Sequence, residues 1–259
     1  MNQLISQFGE QHAAGFILTL ARIAPLFLIA PLFSSKMVPR KARSIAAVAL
    51  AVGLSPLALA GQTVPTDAMT LVGLILKEGL IGLAFAYTIA TLFAAVSAAG
   101  SLLDTQIGFS FGSLVDPVTN NQSGILSQVY GLVGVGIFVA IGGDSWVIRG
   151  LASTYDMVPM TEMPNINLLT GGVQHAFAQI FISAIAVAAP VLLAVIITDA
   201  GFGVVSRVMP QLNVFAVGFP AKILVGFLLI GTSLPFVANW IGDQLTHSVG
   251  DALKALRVA

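Results

Sequence analysis

Six apolar runs order the chain: Gly15 to Phe33, Ser44 to Ala60, Thr70 to Leu103, Ile125 to Ile148, Ala176 to Met209 and Leu212 to Ile241. A straight membrane crossing needs about 20 apolar residues at 1.5 Å each, so each run predicts a membrane helix. The third and fifth runs hold 34 residues apiece and exceed a simple crossing. They are expected either as long helices that project from the bilayer or as broken ones. Pro25 and Pro31 fall in the first run, Pro56 in the second, Pro190 in the fifth, and Pro220 and Pro235 in the sixth. Breaks at such positions survive in lipid only where neighbouring protein satisfies the freed backbone groups. Within the third run Ala86, Ala90, Ala94 and Ala98 form an i, i+4 ladder beside Ser97, Ala99 and Gly100. That small-residue stripe predicts close helix packing, within this chain or against another subunit.

Polar residues interrupt this pattern in one long stretch, Ser101 to Gln122, "SLLDTQIGFSFGSLVDPVTNNQ". Backbone that is not helical can lie at membrane depth only where protein covers it or where it lines a water-filled cavity. Gly108, Phe109, Phe111 and Gly112, followed by the Asp116–Pro117 turn, combine flexibility with the apolar bulk of a pore plug. A plain extramembrane loop is the competing reading. "GVGIFVAIGG", Gly134 to Gly143, reads as a buried glycine-bearing helix rather than a nucleotide cradle.

Composition agrees with a polytopic membrane protein. Of 259 residues 57% are hydrophobic and 8% charged, with a mean hydropathy of +0.96, whereas a soluble domain carries about 25% charged residues. Eleven basic and eleven acidic side chains cancel, which gives no field to attract nucleic acid, and there is no cysteine for disulfides or thiolate chemistry. The opening residues lack the basic region of a cleavable signal, so the first run is expected to stay in the mature protein. With no tandem repeat and no low-complexity linker, the chain reads as one cooperative unit. Lys36, Arg40, Lys41 and Arg43 crowd the first connection, "SSKMVPRKARS", while the second, "GQTVPTD", has no basic residue. The first connection is therefore expected in the cytoplasm, as is the fifth, "RVMPQLN" with Arg207, and six crossings put both termini outside. The basic cluster serves topology or also docks a cytoplasmic partner.

Charges inside apolar runs cost roughly 2.5–3.5 kcal/mol each on insertion scales and face protein or water. Arg22, Lys77, Glu78, Asp199 and Lys222 are such charges, and Asp199 precedes Arg207 by two helical turns on about the same face. They form either a proton or ion relay or a set of interhelical ion pairs. No carboxylate pair shares a face with a histidine, which favours the pairs. His12, His175 and His247 have no acidic or histidine neighbour at ligand spacing, so no metal site is expected. GxSxG, HExxH and phosphate-binding glycine loops are missing, which leaves catalysis without a candidate.

Three quoted segments together carry a resemblance: "RIAPLFLIAPLF" followed by the basic loop, "AAGSLLDTQIGFSFGSLVDP", and "DAGFGVVSRVMPQLNVFAVGFPAK". Spanning Arg22 to Lys222, they are similar to the FliR family, whose virulence counterpart is the SctT family. The resemblance implies a non-enzymatic subunit of the flagellar type III export gate, without cofactor, in the bacterial inner membrane at the flagellar basal body. It implies partners of the FliP, FliQ, FlhB and FlhA type, together with unfolded export substrates and membrane lipid. It further implies an all-α chain whose residues 1–170, approximately, are FliP-like and whose residues 171–259 form a FliQ-like hairpin, wound into a helical hetero-oligomer. The family's plug loop falls on about Gln106 to Gln122, with Gln106, Gly108, Phe109, Phe111, Gly112, Asp116, Pro117 and Asn120. Its tail motif falls on Asp199, Gly203, Arg207, Pro210, Asn213, Phe215 and Lys222, at the cytoplasmic turn of the hairpin. The implied mechanism is steric: a Phe-bearing loop seals a narrow pore and yields to a substrate driven by a separate ATPase and the proton-motive force. An injectisome gate subunit, a purely structural scaffold for such a gate, and a small-solute or ion transporter with its own midplane site are the alternatives.

Overall fold

The structure is a computed structural model that describes residues 2–34, 38–110, 124–211 and 213–256. Among these residues the protein is all-helical. The described residues form seven helices, α1 (Asn2–Ile29), α2 (Arg40–Ala58), α3 (Ala68–Ile107), α4 (Ile125–Ala140), α5 (Gly143–Met157), α6 (Ile166–Val208) and α7 (Val214–Ala255). Stretches of α1, α2, α3, α6 and α7 are long and apolar enough to cross a membrane, and α4 with α5 makes a sixth span if that bent pair is counted as one. The chain is an all-α membrane protein.

Two expectations about helix breaks are corrected. Five of the six prolines do not break a helix: Pro25 lies inside α1, Pro56 inside α2, Pro190 inside α6, and Pro220 and Pro235 inside α7, whereas Pro31 falls in the turn after α1 ends at Ile29. Each of these five removes one backbone donor, a loss that helices of 19 to 43 residues absorb. The break occurs instead in the fourth run, expected as one helix from Ile125 to Ile148. There α4 and α5 meet at 73°, around Gly142, whose φ of 71° is the left-handed conformation that glycine adopts without steric cost. The third and fifth runs are long rather than broken, with α3 at 40 and α6 at 43 residues, and the sixth run continues past Ile241 to Ala255.

Polar side chains set several helix starts. Asp67 Oδ2 accepts from the Thr70 amide at 2.9 Å to cap α3, and hydrogen bonding from the Thr70 side chain, with its amide second, holds the Asp67 carboxyl below the usual carboxylate range. Asn165 caps α6 through the amides of Asn167 and Leu168, and Asn213 caps α7 through that of Ala216.

Contacts divide the chain into two compact units, interleaved in sequence. The first holds residues 1–91, 142–177 and 245–259, and the second holds 92–141 and 178–244. In the first unit α1 and α2 pair as a helical hairpin. Its core gathers Ala14 and Leu18 of α1, Ala58 of α2, Leu74 of α3, Tyr155 of α5 and Met160 of the α5–α6 loop. In the second unit α3 packs on α4, with Phe93 edge-on to Phe138 at 5.1 Å between centroids. A Cβ on Gly100 would stand 2.6 Å from the Leu126 carbonyl, so the glycine is what lets the α3 and α4 backbones come this close.

Candidate functional site

Within the first unit three charges lie out of solvent. Arg22 of α1 and Glu78 of α3 are fully buried, and Lys77 is 5% exposed. Arg22 grips Glu78 with two nitrogens: Nε bonds Oε2, and Nη2 bonds Oε1 at 3.0 Å. The same guanidinium donates to Thr154 Oγ1 at 3.2 Å and to the Val158 carbonyl at 2.9 Å, and stacks 4.1 Å over the Tyr155 ring. Lys77 Nζ lies 2.9 Å from Glu78 Oε1 and donates to the carbonyls of Pro159, Met160 and Glu162. One carboxylate thus faces two cations, and the remaining positive charge is met by the carbonyl dipoles of residues 158–162. Each charge has partners, which is the condition under which a buried ion is tolerated. Gly82 completes the arrangement one turn after Glu78. Its absent side chain lets α3 close on the α1 backbone, where a Cβ would fall 1.9 Å from the Arg22 carbonyl oxygen.

A second constellation lies in the second unit, where α3 ends against the α6–α7 hairpin. Lys222 Nζ of α7 stands 2.5 Å from Asp199 Oδ1 of α6, and Gln106 Nε2 of α3 reaches Asp199 Oδ2 at 3.5 Å. With side chains 24% and 36% exposed, Lys222 and Asp199 form a half-buried pair, weaker than the network around Arg22. They line an open cleft of about 490 Å³ together with Gly108 and Gly203. Gly108 turns the chain out of α3 with φ 104°, a conformation open to glycine. The next residue, Phe109, packs edge-on against Phe227 of α7 at 5.9 Å. Across the same junction Gly226 accommodates Ile107, whose Cδ1 would lie 2.6 Å from a Cβ there.

Asp104, one turn before Gly108, is 2% exposed. Its carboxylate accepts from the amides of Leu126 at 3.0 Å and Ser127 at 2.9 Å, the first-turn donors of α4, whose own N-cap residue Gly124 supplies no side chain. Ser127 Oγ in turn donates to the Ser97 carbonyl at 3.0 Å. The polar stretch between α3 and α4 is therefore closed at its base by a carboxylate clasp.

Residues 13–248 match the family described as bacterial export proteins, family 1. The chain belongs to that family. It is 27% identical over 240 residues to the flagellar biosynthetic protein FliR of Escherichia coli K12, covering 92% of both chains. It is 30% identical to the protein of that name from Bacillus subtilis 168, over 89% of this chain and 88% of the relative. A third relative of the same name, from Aquifex aeolicus, is 28% identical over 88% of each. These matches, with the apolar helices, make the chain a membrane-embedded protein of flagellar biosynthesis.

Of the positions singled out in the sequence, the structure joins Arg22, Lys77 and Glu78 in one network and brings Gln106, Gly108, Asp199, Gly203 and Lys222 to one cleft. Phe109 lies beside that cleft. Asp199 and Arg207 are not paired with each other; Arg207 is exposed in the last turn of α6, where a cation suits the helix dipole. Pro210 sits in the α6–α7 turn and Asn213 caps α7. Phe111, Gly112, Asp116, Pro117 and Asn120 lie outside the described residues, as do Lys36 and the Phe215 side chain. The small-residue ladder splits, with Ala86 buried and Ala94 exposed. Among the described residues no group of three or more His, Asp or Glu could hold a metal ion. Sequence reasoning missed the Asp104 clasp, the Tyr155 and Thr154 contacts to Arg22, and the carbonyls of residues 158–162.

Proposed function

We propose that this chain is a subunit of the flagellar type III export gate, helping to form and close the channel through which unfolded flagellar proteins cross the bacterial inner membrane. The observation that carries the proposal is the family match over residues 13–248, together with near-complete mutual coverage of relatives named for flagellar biosynthesis. In this reading FliP-, FliQ-, FlhB- and FlhA-type subunits are its partners. Residues 1–170, approximately, form its FliP-like part and 171–259 its FliQ-like hairpin, with the Arg207–Asn213 turn in the cytoplasm.

The stretch from Gln106 to Gln122 is the channel-closing element of the proposal. The residues at its start support this: Gly108 gives a turning point, Phe109 supplies apolar bulk against Phe227, and Asp104 ties the end of α3 to the start of α4. The charges act as packing pairs rather than as a relay. What supports that reading is their saturation: Arg22, Lys77 and Glu78 are engaged by one another, by Thr154 and by backbone carbonyls. Conductance across membranes carrying the assembled gate tests the closing role. Phe109→Ala should raise the baseline ion leak while leaving assembly intact. An unchanged leak in an assembled gate would remove this residue from the seal.

A further inference from the structure

The start of α2, in the first unit, carries positive charge with no counter-charge among the described residues. An open cleft of about 320 Å³ lies between α1 and α2. Its walls are apolar, from Ala24, Phe27 and Leu28 of α1 and Ala47 of α2, and Arg40 and Arg43 stand along it. No aspartate or glutamate occurs between Glu10 and Asp67, and among the described residues Arg40, Lys41 and Arg43 form no ion pair. α2 begins after Pro39 with no side-chain cap and no acidic residue in its first turn, so three cations crowd the positive end of a helix dipole. Arg43 Nη1 donates to the Ser34 carbonyl at 3.0 Å, yet its Nε is buried with no hydrogen-bond partner. A buried guanidinium N–H left in that state is costly unless an acceptor from outside the chain completes it.

Surrounding surface indicates where that acceptor comes from. Leu28 is 74% exposed, Ile45 69% and Val52 59%, so apolar side chains continue outward along α1 and α2 from the cleft. Basic groups at the end of an apolar groove between membrane helices match a phospholipid, with phosphate on the cations and acyl chain along the groove. We propose that the α1–α2 cleft binds an anionic phospholipid through its headgroup phosphate, with Arg40 and Arg43 as the phosphate ligands and the Phe27–Leu28 wall against the acyl chain.

Native mass spectrometry of the full-length chain released from detergent, with phosphatidylglycerol and phosphatidylcholine of identical acyl chains, tests this. The wild-type chain should retain phosphatidylglycerol at least about tenfold better than phosphatidylcholine, since the second lipid is zwitterionic. Arg40→Gln should lower that retention about fivefold and Arg40→Gln with Arg43→Gln about 25-fold, at roughly one basic contact each. Lys254→Gln, on an exposed lysine paired with Asp251, should change nothing. Arg40 is exposed and its side chain makes no bond within the described chain, so its single variant reports on binding even if the Arg43 variant loosens the Ser34 contact. Equal retention of the two lipids, or wild-type retention by Arg40→Gln, overturns the proposal. Full displacement by inorganic phosphate assigns the site to free phosphate and overturns the lipid reading. Loss of lipid discrimination once partner subunits are bound assigns the cations to an acidic protein surface and also overturns it.

Discussion

Replacing Glu78 by glutamine removes one negative charge and little volume from the buried network, leaving Arg22 and Lys77 side by side with no carboxylate. Insertion scales put each unpaired cation at roughly 2.5–3.5 kcal/mol, and breaking a buried pair costs about 3–5 kcal/mol. The carbonyls of Val158, Pro159, Met160 and Glu162 still receive Arg22 and Lys77, which moderates the loss, so we take about 3–5 kcal/mol rather than the sum of two cations. That is a large share of a stability of order 5–15 kcal/mol. In a chain of this size it corresponds to a fall in thermal midpoint of roughly 6–20 °C, measured on the purified chain in detergent. A double-mutant cycle adds the decisive control. Because Arg22 and Glu78 hold each other, Arg22→Met combined with Glu78→Leu should cost at least about 2 kcal/mol less than the two single changes summed. If Glu78→Gln shifts the midpoint by less than about 2 °C, or the cycle is additive within about 0.5 kcal/mol, the network does not hold α1 to α3 and the packing argument fails.

Gly82→Ala should destabilise by about 2 kcal/mol or more in the same melt, because its Cβ meets the Arg22 backbone, while Gly79→Ala, with open space at its Cβ, should be neutral or stabilising by up to about 1 kcal/mol. Asp104→Ala should cost about 1–3 kcal/mol and release the Leu126 and Ser127 amides to fast hydrogen exchange, with protection elsewhere in α4 less affected. Asp199→Asn should cost at most about 1 kcal/mol in the isolated chain, since the Lys222 pair is half exposed, but should weaken co-assembly with partner subunits. If export fails while co-assembly is normal, a relay role for Asp199 gains the ground instead. Topology reporters at Lys41 and Gln211 should read cytoplasmic and one at Thr66 periplasmic; a periplasmic signal at Gln211 would mean that the bent α4–α5 pair returns to the side it entered and would overturn the cytoplasmic placement of the α6–α7 turn.

The helices were legible in the sequence because a membrane helix needs only a sustained apolar run, and all but one run became a continuous helix. Prolines at 25, 56, 190, 220 and 235 are candidate breaks, yet a helix absorbs one missing donor, whereas the Gly142–Gly143 pair just past α4 follows an apolar stretch and precedes Asp144 within a run that reads as one helix. A Gly-Gly dipeptide is itself a turn signal and was the available clue. Charge cost alone marked Arg22, Lys77 and Glu78 as residues needing partners. It could not pair Arg22 with Glu78 across 56 positions, nor find acceptors that are backbone carbonyls and carry no residue-type signature. Asp104 was hidden for a similar reason. It stood in view as one polar residue of a polar stretch, while its amide donors lie 22 and 23 positions away.

Stoichiometry of the native complex tests the central claim most directly. Solubilising membranes that carry the tagged, full-length chain at its natural level, then weighing the intact complex by native mass spectrometry, reads both partner identity and copy number. The account predicts this chain as a minority subunit within a hetero-oligomer of export-apparatus proteins. A monomer, or a symmetric oligomer of this chain alone, would contradict it and turn the reading toward a self-contained transporter.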